Sequence, residues 1–211
     1  MENEDITKIR FFADPICPWT WVSANYVVGA AKVLNLEVEI LPMSLKILNE
    51  NNDLKKEIKT KFDLIEPILE SMAYAAKTGR VDLSKELYFQ TGYRLHVSKI
   101  QDIDIAVKEV HEMFLQFFDE VEDNAALSND YLVQLHSEAM ELVGPDVGSP
   151  VLQLLPDGGA MHGPIISKVF DDPKAELLKS IITLSGIKEF SEIKRQRFEE
   201  LDTRFQVMPL T

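Results

Sequence analysis

The sequence predicts an α/β fold: a small sheet assembled from a βαβ unit and a ββα unit, with a large all-helical insertion between them. Three observations carry this. A strand, a helix and a second strand follow one another within residues 6–41. Residues 44–144 then show helical spacing and no strand pattern. Two short strands and a helix follow Gly148. The expected division is residues 1–43 with 145–211 as the sheet domain, and 44–144 as the inserted helical domain.

Residues 6–13 form the first strand. Ile6, Phe11 and Phe12 give it bulk, and it is largely apolar on both faces, as an interior strand of a covered sheet is. A helix follows from about Pro18 to Leu34, with Val22, Tyr26, Gly29, Ala30 and Val33 on one side. In Leu36 to Leu41, Leu36, Val38 and Ile40 alternate with Glu37 and Glu39, the period-two pattern of an exposed or edge strand. A strand–helix–strand unit of this length joins parallel strands.

In the insertion, Leu54, Ile58, Phe62, Ile65, Leu69, Met72 and Ala76 recur at helical spacing, and Pro67 is expected to break or kink the segment. A second helix is expected over Asp82 to Leu95. Ile103, Ala106, Val107, Val110, Phe114 and Phe117 make the apolar stripe of a third, ended by the acidic run Asp119 to Asn124. Ser128, a good N-cap residue, opens a fourth, which runs through Leu132, Leu135, Ala139 and Leu142 and stops at Gly144. Pro150 to Leu155 and Ala160 to Ile166 flank the turn composition Pro156-Asp157-Gly158-Gly159 and read as a hairpin. Asp172-Pro173 opens the last helix, with Leu177, Leu178, Ile181 and Ile182 inside and Gly186 as its stop. An amphipathic tail carries Phe190, Ile193 and Phe198.

Composition excludes several function classes. Of 211 residues, 45% are hydrophobic and 27% charged, ordinary for a globular protein. The net charge of −13 repels nucleic-acid phosphates and anionic membranes, so neither is an expected partner. One cysteine cannot build a disulfide framework, which fits a reducing compartment. The first residues, Met1-Glu2-Asn3-Glu4-Asp5, are acidic where a secretory signal is basic and then apolar. The uncharged run from Pro15 to Ala31 is too short and too polar to span a bilayer. A cytoplasmic location is expected. No metal is expected, because one cysteine and four scattered histidines have no zinc-ligand spacing. The sequence also lacks a glycine-rich phosphate loop and a Gly-x-Ser-x-Gly elbow.

The stretch that carries chemistry is Cys17-Pro18-Trp19-Thr20, at the turn from the first strand into the first helix. Proline suits the first helical position, where its missing N–H costs nothing. Cys17 then stands at or next to the N-cap, facing unpaired backbone N–H groups and the positive end of the helix dipole, a place that stabilises a thiolate. A lone cysteine is otherwise a small core residue. Trp19 is expected beside the sulfur, as an apolar wall or packed against the helical block, and Trp21 in the core. Asp14 precedes Pro15 at the strand end, where Asp before Pro commonly forms a turn. His111 and His136 sit on helix flanks without a role, and His162 is expected at the surface.

These elements, with the cysteine at the strand-to-helix turn, resemble the thioredoxin fold, and the helical insertion resembles that of the thiol–disulfide oxidoreductase A (DsbA) type. The segment from Phe12 to Trp21 is similar to the active-site segment of the mycothiol-dependent nitroreductase branch. So are Gly92-Tyr93-Arg94-Leu95-His96, Asp146 to Val151, Gly163 to Ser167 and Glu192 to Arg195. The resemblance implies a cis Pro150 lying against the active-site sulfur, with the Ser149 backbone free to pair with a bound thiol peptide or mixed disulfide. It also implies an acidic residue, here Asp14, near the turn. If the helical block folds over the site, His96 and Arg94 reach an anionic substrate or cofactor; otherwise they belong to a solvated helix end.

One departure matters. Most members of the resembling group carry a second cysteine where this chain has Thr20, and Thr20 cannot resolve a mixed disulfide. Three readings stay open. Cys17 acts as a monothiol, with Thr20 Oγ donating to its thiolate and an external low-molecular-weight thiol, mycothiol or glutathione, as co-substrate for a small-molecule or disulfide substrate. Alternatively, the site activates a bound thiol in the manner of kappa-class glutathione transferases, as a transferase or isomerase. In the third, a catalytically degenerate DsbA-like protein serves as a binding module. The site residues expected are Cys17 and Thr20 for catalysis, with Asp14, Pro18, Trp19, His96, Ser149 and Pro150 for substrate or thiol binding.

Overall fold

The computed structural model describes residues 6–98, 100, 102–116, 125–197 and 199–205, with the backbone alone for 125–128. Met1 to Asp5, Phe117, the Asp119 to Asn124 run, the Ser128 side chain and Phe198 lie outside the described residues. The chain is mixed α/β. β1 (Lys8–Ala13), β2 (Glu37–Pro42), β3 (Val151–Leu155) and β4 (Ala160–His162) form one sheet in the order β2-β1-β3-β4. β1 and β2 are parallel, joined by α1 (Pro18–Val33); β3 is antiparallel to β1 and to β4. β2 is an edge strand, as its alternation predicts.

Between β2 and β3 come α2 (Leu45–Leu48), α3 (Lys56–Lys77), α4 (Val81–Gly92), a π-helical turn (Tyr93–Val97), α5 (Ile103–Leu115) and α6 (Ala125–Val143). α7 (Glu176–Ser185) follows β4. Pro67 does not break α3. Ile65, Ile68, Leu69 and Met72 are fully buried around it, and Ser71 Oγ donates to the Pro67 carbonyl at 2.7 Å. The packing of that face outweighs one missing backbone bond. α6 begins a turn before Ser128. β4 ends at His162, short of the expected Ile166, because Gly163 takes φ +107° and Pro164 has no N–H to continue the ladder. α7 starts at Glu176, after a left-handed Ala175, and not at Asp172-Pro173; the Asp172 carboxylate still serves its first turn, accepting the N–H groups of Glu176 and Leu177 at 2.8 and 3.1 Å.

Strand alternation divides the core. Ile9, Phe11, Ala13, Val38, Ile40, Leu152 and Leu154 join a cluster with Trp21 and Val27 of α1, Leu69 and Met72 of α3, Tyr88 and Phe89 of α4, and Leu178 of α7. The opposite face presents Phe12, Leu41 and Val151 to Leu135 and Ala139 of α6. Farther along that face Lys8 and Arg10 bridge to Glu39, and Arg10 pairs with Glu138 of α6. No helix among the described residues is long and apolar enough to cross a membrane. The register pairs Phe12 with Val151, so the chain leaving β1 at Asp14 lies beside the chain entering β3 at Ser149.

Candidate functional site

Cys17 is the N-cap of α1, with extended backbone (φ −82°, ψ 113°) and Pro18 at the helix start. Its N–H donates to the Asp14 carbonyl at 3.1 Å, and its own carbonyl accepts the Trp21 N–H at 3.0 Å. The first bond closes the turn out of β1 and the second opens the helix. The residue is partly exposed, at the positive end of the helix.

Asp14 holds the foot of this turn. It is fully buried, Oδ1 accepting the Ile16 N–H at 3.0 Å and Oδ2 the Leu45 N–H at 2.8 Å. Loss of hydration pushes its carboxyl up to about 6, against the pull of those two donors. Asp14 thereby ties the Cys17 turn to the first residue of α2. The Asp–Pro turn reading captures the Ile16 bond but not the link to Leu45.

Ser149 joins the two chain segments from the other side. Its buried Oγ accepts the Asp14 N–H at 3.2 Å and the Thr20 hydroxyl at 3.0 Å. Thr20 is fully buried, so its proton serves Ser149; the expected donation from Thr20 to the Cys17 sulfur is not the bond formed. The Ser149–Pro150 peptide bond is cis, and the Pro150 carbonyl accepts the Gly163 N–H at 2.9 Å.

His96 is not a solvated helix end. The π-helical turn carries its ring inward, where Nε2 shares a 2.8 Å hydrogen bond with the Pro15 carbonyl and the ring lies 6.0 Å from that of Trp21. Burial pushes its pKa down, favouring the neutral ring as the donor to that carbonyl. His96 therefore braces the Cys17 turn from behind. Arg94 pairs with Glu109 and Gln90 on neighbouring helices. His136, expected to have no role, is buried and accepts the Ser44 N–H at 3.3 Å through Nδ1. His162 is exposed on β4.

The C-terminal segment reaches the site as well. The Arg197 guanidinium lies 4.3 Å above the partly exposed Trp19 ring. The Thr203 carbonyl accepts the indole N–H of fully buried Trp21 at 2.9 Å, and the Thr203 hydroxyl donates to the His96 carbonyl at 2.7 Å. Sequence reasoning missed these contacts, because they join residues far apart in the chain. It also missed Tyr88, whose position in Leu87-Tyr88-Phe89 reads as plain core. Two surface clefts, at Lys32, Asn35 and Lys85 and at Thr60, Leu64 and Ile103, are lined by none of Cys17, Trp19, Ser149 and Pro150. No group of three or more His, Cys, Asp or Glu among the described residues is placed to hold a metal ion.

The structure thus brings Asp14, Cys17, Thr20 and Ser149 into one hydrogen-bonded turn, with Pro150 and Trp19 adjoining it in sequence. Against this geometry, the family model described as Rv2466c-like, mycothiol-dependent nitroreductase Rv2466c, matches residues 16–195. The chain belongs to the Rv2466c-like family. The match spans Cys17 and every later segment that carries the sequence resemblance, and it supports the mycothiol-dependent branch. Arg197 and Thr203, which cover Trp19 and Trp21, lie beyond the residues matched to the Rv2466c-like family.

Proposed function

We propose that this chain is a thiol-dependent reductase in which Cys17 works as a monothiol and mycothiol is the co-substrate. The observation that carries the reading is the position of the chain's single cysteine: partly exposed, at the N-cap of α1, with Pro18 behind it and buried Thr20 where a resolving cysteine would stand. The family description, which names mycothiol dependence, supports the same co-substrate. The order β2-β1-β3-β4, with α1 and α7 completing βαβ and ββα units, supports a thioredoxin-type fold. The helices between β2 and β3 support a DsbA-type insertion. A cytoplasmic site of action goes with this reading.

The chemistry follows from one sulfur. With a disulfide substrate, the Cys17 thiolate attacks one sulfur and the other half leaves as a thiolate. Mycothiol thiolate then attacks the mixed disulfide, restores the Cys17 thiolate and carries off the substrate half as a mycothiol disulfide. With a nitro substrate, one Cys17 thiol and one mycothiol thiol supply two electrons and two protons. The nitro group becomes nitroso and water leaves. The Cys17–mycothiol disulfide formed is reduced by a second mycothiol, which departs as mycothiol disulfide. In both routes mycothiol does the resolving that Thr20 cannot. Asp14, His96 and Ser149 hold the turn, while Pro150 and Trp19 shape the groove in which the mixed disulfide lies.

Turnover of a small nitroaromatic and of a mixed disulfide, each with mycothiol, tests this in the unaltered protein and in Cys17→Ser. The reading requires turnover in the first and none in the second. Turnover retained by Cys17→Ser would shift the reaction to a bound thiol, as in a transferase.

A further inference from the structure

Tyr88 is on α4, in the apolar run Leu87-Tyr88-Phe89 that reads as core. Its residue surface is fully buried, its ring packed 6.5 Å from Trp21 and 5.4 Å from Phe89, centre to centre. Its hydroxyl is nevertheless buried without a hydrogen-bond partner among the described residues. A hydroxyl left in that state costs stability, and a phenylalanine would fill the same space without the cost. Trp21, against which it packs, donates its backbone N–H to the Cys17 carbonyl, so Tyr88 stands against the first turn of α1. Burial first of all, and then the charges of Cys17 and Asp14, hold the phenol well above its ordinary range, so it remains a neutral O–H donor. The Asp14 oxygens each already accept a backbone N–H, from Ile16 and Leu45. His96, the other titratable group near Trp21, bonds to Pro15. The Cys17 sulfur, at the head of that turn, is an acceptor whose demand grows when it becomes anionic.

We infer that the Tyr88 hydroxyl is a buried donor to the reacting sulfur, directed from α4 to the underside of the Cys17 turn. It supplies the hydrogen bond that Thr20 gives instead to Ser149. The donor is unspent in the resting thiol and engages as negative charge forms on Cys17, on attack or on release from the mixed disulfide. This rests on the reading of Cys17 as the reacting group.

The test is the pH profile of Cys17 alkylation by iodoacetamide, together with mixed-disulfide formation with mycothiol disulfide, in the unaltered protein and in Tyr88→Phe. The expected result is a profile displaced upward by roughly half to one pH unit in Tyr88→Phe, the size of effect one charge-assisted hydrogen bond gives. Its melting temperature is unchanged or higher. A second variant with a fluorotyrosine at this position, close in shape and more acidic, moves the profile downward, which a packing role would not do. Superimposed profiles, with mixed disulfide still formed by both proteins, overturn the inference and leave the functional reading standing. A Cys17 that neither alkylates nor forms the mixed disulfide in the unaltered protein overturns both. Should Tyr88→Phe fail to fold, the fluorotyrosine profile decides: no displacement overturns the inference.

Discussion

Gly92→Ala should destabilise the protein, although alanine is the better helix former. Gly92 ends α4 with ordinary helical angles (φ −60°, ψ −38°), so no backbone strain opposes a side chain there. On propensity alone the change would stabilise by up to about 1 kcal/mol. The space is absent, however. A Cβ at this position would stand 2.6 Å from Trp21 Cζ3 and closer still to Cε3. Trp21 cannot step aside cheaply. It is fully buried, lies among Tyr88, Phe89 and His96, and is anchored by its N–H to the Thr203 carbonyl. Overpacking of this kind costs about 1–3 kcal/mol, and more when a rigid ring must move. The expected net loss is about 1–2 kcal/mol. For a chain of this size that lowers the melting temperature by roughly 2–8 °C, read by calorimetry. The indole emission should also shift as the ring moves and the Thr203 bond lengthens. A Gly92→Ala protein that melts at or above the parent temperature would refute the reasoning, since the ring would then have room to yield.

Asp14 makes stability depend on pH in a stated direction. Its folded value of about 6 lies above the ordinary 3.8, so between those pH values the folded chain keeps a proton that the unfolded chain has lost. Its contribution therefore falls as pH rises through that window and is lost above it, by an amount on the order of 3 kcal/mol. Urea midpoints at several pH values should show this component in the parent protein and not in Asp14→Asn; equal slopes would contradict it. Thr20→Cys restores a second thiol three residues after Cys17, a spacing across one helical turn that suits a disulfide. Mild oxidation should remove both free thiols without forming dimers, and persistence of both would count against the helix-start geometry. Arg197→Ala uncovers the Trp19 face at a cost of about 1 kcal/mol or less. Iodide should quench tryptophan emission more in that variant, with the melting temperature little changed; unaltered quenching would place Trp19 elsewhere.

Much of the fold is legible because its signals are local. Val38 and Ile40 against Glu37 and Glu39 announce an edge strand, and Cys17-Pro18 marks a helix start. Where tertiary packing overrides a local rule, legibility fails. Pro67 reads as a breaker, yet α3 runs through it because its neighbours are buried. His96 reads as a helix-end cation, yet the π-helical turn rotates it to the Pro15 carbonyl. The site divides in the same way. The sequence identifies Asp14, Thr20 and Ser149 as residues of interest, but their mutual bonding depends on the β1–β3 register. Thr20 is the instructive case: its proximity to Cys17 in sequence suggests one partner, and the register supplies another. Nothing in the sequence marks Tyr88 or Arg197, since one sits in an apolar run and the other reaches Trp19 from the C-terminal segment.

The most direct test of a monothiol Cys17 is the intact mass of the protein after brief exposure to mycothiol disulfide near neutral pH, with Cys17→Ser alongside. The account predicts one mycothiol per chain, bonded to Cys17, absent from Cys17→Ser and removed by excess mycothiol. An unmodified parent protein under conditions where a free cysteine peptide is modified would contradict it.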